Sequence, residues 1–315
     1  MHLWKILILA IVQGLAELLP VSSSAHVVVA EKLLGLDPSA PQMTLLLVML
    51  HTGTMIAVIV YFWTQWKRAY FASGDAFKRF AIRAVWATAL TAVIGYPIIK
   101  GIEHHLNRAS AETVSGAAGK YVSACVVGHQ DVEDIFSRLD FVAPALFAAG
   151  LLILWAGMKE RNAEAQTARA YDRGASRSGD NVTFSQAGWM GAVQGLCLPF
   201  RGFSRSGATI STGLLARASR ERAERFSFAL AVILTPPAVL REVNRLLRAS
   251  QCDGNTLDLH SSTLAALLGM VLSFLAGLAA LRWLSSWLES GKWYLFGIYC
   301  LVASCVVFYL HHIGY

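Results

Sequence analysis

Two stretches of this chain carry one pattern. Val12-Gln13-Gly14-Leu15 aligns with Val193-Gln194-Gly195-Leu196, and without a gap Ser23 then falls on Ser204 and Ser24 on Arg205. An element used twice constrains the fold to two halves built alike. The copies have diverged in their charges. The first keeps a carboxylate, Glu17, and a histidine, His26; the second keeps two arginines, Arg201 and Arg205. The expectation is one composite site, half of it supplied by each copy.

The setting of both stretches is apolar. Of 315 residues, 55% are hydrophobic and 15% charged, against about 25% charged in a soluble domain. Mean hydropathy is +0.49. Several runs reach the roughly 20 apolar residues that a spanning helix needs, so the chain reads as an all-α integral membrane protein. The net charge of +7 does not point to nucleic acid, because the basic residues sit in short loops between apolar runs, where topology accounts for them. The N-terminal run has Lys5 and resembles a signal peptide. No small-residue cleavage site follows it, and Gln13 and Glu17 come next, so it reads as retained.

Residues 1–36 are apolar but interrupted by Gly14, Pro20, Ser22, Ser23, Ser24, His26, Glu31 and Lys32. No lipid-facing span holds that content. A pair of short helices that dips in and returns does, because irregular backbone at membrane depth is tolerated where protein covers it. Met43–Trp63, Ala84–Ile99 and Phe141–Met158 read as spans. Residues 184–215 form a second polar-spotted segment, followed by spans at Phe226–Leu240, Ser262–Leu281 and Trp293–His311, with Pro236-Pro237 expected to kink the first of these. The expected architecture is about six transmembrane helices plus two re-entrant helix pairs. Residues 1–158 form the first repeat, 159–183 a cytoplasmic linker and 184–315 the second repeat. Three spans per half is an odd number, so the second repeat is inverted. Basic loops at 64–83, 159–183 and 217–225 mark the cytoplasmic face. Both termini then lie outside, as do the polar segments 101–140 and 243–261. Cys125 and Cys252 fall in those outer segments, and a disulfide between them is an expectation for an oxidising compartment.

Inverted repeats with broken helices place their site at the repeat interface. Gln13 and Glu17 are four apart and share a helix face, and an intramembrane carboxylate is a functional hypothesis by default. His26 follows Ser23 by three residues. A histidine beside serines supplies a base, a nucleophile or a leaving-group acid. Arg201 and Arg205 supply guanidinium forks suited to phosphate. Ser204, Ser206 and Thr209 add hydroxyls, and a helix opening near Gly207 would add free N–H groups. His51, beside Thr52 and Thr54 within a span, reads as a structural residue. The catalytic candidates are therefore Ser23, His26, Glu17 and Arg205. The substrate-binding candidates are Gln13, Ser22, Ser24, Arg201, Ser204, Ser206 and Thr209. Ser23 and His26 compete as nucleophile.

The stretch from Gln13 to His26, with its Gln/Glu-x-x-x-Glu spacing and Pro-Val-Ser-Ser-x-x-His ending, resembles the first motif of the undecaprenyl-diphosphate phosphatase (bacitracin-resistance) family. Gly202-Phe203-Ser204-Arg205-Ser206-Gly207-Ala208-Thr209 resembles its second. The resemblance spans both halves. It implies a bacterial inner-membrane enzyme that hydrolyses undecaprenyl diphosphate to undecaprenyl phosphate on the extracytoplasmic side, recycling the lipid carrier for peptidoglycan synthesis. It also implies a divalent cation, Mg2+ or Ca2+, with Glu17 as a ligand. Three departures stand out. Gln13 replaces a common Glu, leaving one carboxylate where two could bind metal. Arg201 replaces a usual Pro. The segment 103–138 is longer than usual.

The partners expected are the lipid diphosphate and the bilayer, with no nucleic acid; a homodimer stays open. A polyprenyl-phosphate transporter or flippase is the rival reading, since inverted repeats also serve transport. The acid phosphatase superfamily is a third, but Ser211 stands where its Ser-Arg-x-x-x-x-x-His motif needs His.

Overall fold

The computed structural model describes residues 2–36, 41–114, 139–170, 181–252, 259–289 and 292–314. Among these residues there are ten α-helices and no strand. They are α1 (Leu3–Leu18), α2 (Ser23–Leu33), α3 (Pro41–Ala69), α4 (Gly74–Val114), α5 (Leu139–Ala170), α6 (Phe184–Cys197), α7 (Arg205–Leu215), α8 (Arg220–Cys252), α9 (Leu259–Glu289) and α10 (Trp293–His312).

Helix length separates two kinds of element. At 1.5 Å per residue, α1, α2, α6 and α7 reach at most about 24 Å, short of the roughly 30 Å hydrocarbon core. The others are longer. Five stretches are long and apolar enough to cross a membrane: Leu45–Ala69, Gly74–Ile102, Leu139–Arg161, Thr263–Trp283 and Trp293–His312. The sixth expected span, Phe226–Leu240, lies within α8. Large apolar side chains such as Val85, Leu264 and Phe308 stand more than 60% exposed on these helices, as lipid contact requires. This is a multi-pass helical membrane protein.

The helices outrun the apolar segments that announce them. Segments 64–83, 101–140 and 243–261 read as loops in the sequence. In the structure α3 and α4 nearly meet, α4 continues to Val114, and α8 continues to Cys252. A helix satisfies its backbone internally and needs no lipid to persist, so apolar content marks where a helix is buried and not where it ends. The Pro236–Pro237 pair lies inside α8 without ending it. Cys252 closes α8. Cys125 lies outside the described residues, as does its pairing with Cys252 and most of segment 103–138.

In lipid, apolar burial between helices gains little, and association depends on close packing and interhelical hydrogen bonds. Both are present. α1 packs on α9 and α6 packs on α4. Gly14 and Gly195 sit at these two crossings. A Cβ on Gly14 would meet Ala276 Cβ at 2.5 Å, and one on Gly195 would meet the Thr91 carbonyl oxygen at 2.6 Å. Polar ties accompany the contacts. Gln194 Nε2 donates to Thr91 Oγ1 (3.1 Å), Ser273 Oγ to the Leu50 carbonyl (2.9 Å), Ser304 Oγ to the Ala143 carbonyl (2.9 Å) and Trp293 Nε1 to Ser211 Oγ (3.0 Å). The α1–α2 turn is wedged between two apolar clusters. Leu18 packs with Met55, Phe62 and Phe228, whereas Val21 and Ala25 pack with Leu139, Ile153 and Trp293.

The Gly14 crossing makes a direct prediction. Gly14→Val forces α1 off α9 and should cost about 1–3 kcal/mol, the usual range for overpacking. It should read as a lowered Tm of the detergent-solubilised protein. Gly74→Ala, with open space around its Cβ, should leave Tm unchanged. An unaltered Tm for Gly14→Val would refute the close crossing.

Candidate active site

The last turns of α1 carry Gln13 and Glu17 on one face, and both are buried. The chain then breaks at Leu19-Pro20-Val21. Ser22 adopts φ 67°, in the left-handed region that non-glycine residues seldom enter. That conformation turns the chain so that α2 begins at Ser23. Ser23 Oγ donates to Glu17 Oε2 at 2.5 Å, and Gln13 Nε2 donates to the same oxygen at 3.1 Å.

The second half delivers its share through the loop between α6 and α7. Gly202 holds φ 99°, and a Cβ there would lie 2.6 Å from the Val142 carbonyl oxygen, so only glycine fits. Its N–H donates to Ser24 Oγ of α2 at 3.1 Å. Ser204 caps α7, its Oγ accepting from Gly207 N at 3.1 Å. Arg205, the first residue of α7, sends Nη2 to Glu17 Oε1 at 2.7 Å. Ser206 Oγ reaches the Leu19 carbonyl at 3.4 Å. The two broken helix pairs thus meet tip to tip, with the Glu17 carboxylate between them.

Gln13, Glu17, Ser23, Ser24, Arg205 and Ser206 all take part in this junction. Ser204 positions Arg205. Ser22 Oγ pairs with Ser24 Oγ at 3.2 Å. Thr209 faces away, its hydroxyl donating to the Arg205 carbonyl (2.9 Å) and meeting Ser227 Oγ on α8 (2.5 Å). Arg201 is half-buried in the loop, and its charge acts on Glu31, a fully buried carboxylate of α2.

His26 takes a different partner from the one its spacing suggests. Its Nδ1 lies 2.8 Å from the Ser22 carbonyl. A carbonyl only accepts, so Nδ1 carries the proton. Nε2 lies 2.7 Å from Tyr299 Oη of α10, and the two rings stack. The Ser23 hydroxyl goes to Glu17 and not to the imidazole.

Two residues at the site escaped the sequence reading. His51 of α3 places Nε2 3.6 Å from Glu17 Oε2, where the sequence suggested only a structural role. The rule that an intramembrane ionisable group is functional by default would have found it. Tyr299 carried no signal, because an aromatic residue in an apolar span reads as lipid-facing.

A profile of the family described as "Bacitracin resistance protein BacA" matches residues 6–306. This chain belongs to the BacA family. It is 51% identical over 309 residues to "Undecaprenyl-diphosphatase 2" of Acinetobacter baylyi, covering 98% of this chain and 97% of that protein. It is 31% identical over 325 residues to "Undecaprenyl-diphosphatase 1" of Burkholderia pseudomallei, with 99% of each chain covered. It is 31% identical over 321 residues to "Undecaprenyl-diphosphatase 2" of Burkholderia thailandensis, again with 99% of each covered.

The donors for a cation in this BacA-family site are few. Among the described residues no three His, Cys, Asp or Glu side chains gather. Glu17 supplies a carboxylate, and Gln13, whose Nε2 faces Glu17 Oε2, has a buried Oε1 without a hydrogen-bond partner. Hard divalent ions are commonly held by one or two carboxylates and complete their shell with substrate phosphates and water. The donor set fits an ion that binds together with a diphosphate.

Proposed function

We propose that this chain hydrolyses undecaprenyl diphosphate to undecaprenyl phosphate and inorganic phosphate. One observation carries the reading: a hydroxyl, a carboxylate and a guanidinium from the two halves join in a single chain, Ser23 Oγ to Glu17 (2.5 Å) and Glu17 to Arg205 (2.7 Å). The names of the relatives, all undecaprenyl-diphosphatases, favour hydrolysis over lipid transport.

Phosphoryl transfer depends on positioning and on stabilising charge. Arg205 binds the diphosphate bidentately, and the first N–H groups of α7 add to that field. Ser23 Oγ attacks the terminal phosphorus. Its proton passes to Glu17 Oε2, to which it already donates, and the bridging P–O bond breaks to release undecaprenyl phosphate. Water then displaces the phosphoryl group from Ser23, giving inorganic phosphate. His26 Nε2, fixed by Tyr299, serves the proton transfers around the leaving group and the water. A divalent cation held by Glu17 and Gln13, when bound, neutralises charge on the diphosphate.

The same reading assigns the chain to the bacterial inner membrane, recycling the lipid carrier for peptidoglycan synthesis and conferring bacitracin resistance. It makes residues 184–315 an inverted repeat of 1–158, with the short pairs re-entrant and the site open to the extracytoplasmic side. The matched crossings at Gly14 and Gly195 and the basic residues of 64–83 support that inversion. In intact cells a membrane-impermeant thiol reagent should label a cysteine placed at position 120 and spare one at 170. Labelling at 170 would overturn the topology.

The chemistry is tested by phosphate release from undecaprenyl diphosphate by purified protein, followed by acid-quench trapping. The expected intermediate is an acid-stable phosphoserine at Ser23. An acid-labile phosphohistidine at His26 would reassign the nucleophile to the imidazole, and no phosphate release would refute the activity.

A further inference from the structure

The 3.6 Å between His51 Nε2 and Glu17 Oε2 exceeds a direct hydrogen bond. The imidazole is fixed from its other side. Nδ1 lies 2.9 Å from the Leu47 carbonyl, an obligate acceptor, and so carries the proton. In the neutral ring Nε2 then turns a lone pair toward a carboxylate oxygen. Two such lone pairs repel unless a positive centre lies between them. Ligands with metal bonds of about 2.1 Å that subtend about 120° at one ion stand roughly 3.6 Å apart.

A third donor adjoins the pair. Gln13 is fully buried, and its Oε1 has no hydrogen-bond partner. The amide nitrogen of the same group lies 3.1 Å from Glu17 Oε2. A half-turn of the amide exchanges the two atoms and presents the unpartnered oxygen beside the carboxylate. Arg205 occupies Oε1 of Glu17; Oε2, which accepts from Ser23 Oγ, is the oxygen that faces His51 and Gln13.

We propose that Glu17 Oε2, His51 Nε2 and Gln13 Oε1 form the divalent-cation site, with the imidazole standing in for a second carboxylate. The inference rests on the cation reading above and goes beyond it by naming a nitrogen ligand. It carries a consequence for selectivity. Carboxylate, carbonyl and water sets suit Mg2+, Ca2+ and Mn2+, whereas imidazole suits Zn2+, Fe2+ and Ni2+. A nitrogen ligand therefore favours an ion such as Fe2+ or Zn2+ over Ca2+, and Mn2+ serves as the paramagnetic probe of the site. A protonated His51, paired with Glu17 as a simple ion pair, is the alternative that the experiment separates.

The test is electron spin-echo envelope modulation of Mn2+ bound to the purified full-length protein, alone and with methylenediphosphonate as a diphosphate mimic. Nitrogen-14 modulation from a coordinated imidazole is expected, changing to the nitrogen-15 pattern when the protein is labelled with 15N-histidine. That labelling needs no variant. The modulation should vanish in His51→Gln and persist in His26→Gln. Mn2+ affinity in His51→Gln should fall at least about tenfold, in line with the cost of disturbing a metal's ligand environment, with Ca2+ affinity little changed. Mn2+ bound without nitrogen modulation, or modulation that survives His51→Gln, would overturn the His51 assignment and leave the cation reading standing. Failure of Mn2+ to bind in either condition would overturn both.

Discussion

A carboxylate inside a membrane protein has to be neutralised, and the architecture here is arranged around doing so for Glu17. Its oxygens receive a guanidinium, a serine hydroxyl and a primary amide, with an imidazole beyond. Each comes from a different local structure: α1 itself, the start of α2, the start of α7 and the middle of α3. The carboxylate is thus where charged and polar side chains of the two halves converge. Removing it would leave Arg205 as an uncompensated partly buried charge, and breaking such pairs is far more costly than never having built them.

Bringing those groups together requires breaks in the helical backbone, and in a membrane protein such breaks have to be covered by protein. The two short helix pairs meet this condition. Their tips carry the strained or glycine-dependent positions, Ser22 and Gly202, and both tips are packed on other elements. The long helices set how closely the tips approach, through crossings that admit no side chain at Gly14 and Gly195. Function and packing are linked here through distance: displacing α1 from α9 also displaces Glu17 from Arg205.

Much of this was legible in the sequence because charge is costly in an apolar chain and therefore conspicuous. The ungapped match of Gln13-Gly14 to Gln194-Gly195 singled out two glycines that both sit at close helix crossings, and Glu17, Ser23 and Arg205 were found by the polarity of their surroundings. What stayed hidden was pairing. The i,i+3 spacing of Ser23 and His26 suggested a contact, but Ser23 opens α2 and its hydroxyl turns back to α1 instead. Tyr299 and His51 approach from helices remote in sequence, and periodicity carries no information about which helices are neighbours. Helix ends were hidden too, since α4 and α8 run past the apolar segments that reveal them.

The joining of the halves at Glu17 is measured most directly by a double-mutant cycle on unfolding in mixed micelles. The members are wild type, Glu17→Gln, Arg205→Gln and the double variant. Contacting charged groups couple by about 0.5–3 kcal/mol, and a value in the upper part of that range is expected, with the double variant less destabilised than the sum of the singles. Strict additivity would contradict a carboxylate–guanidinium contact holding the two halves together.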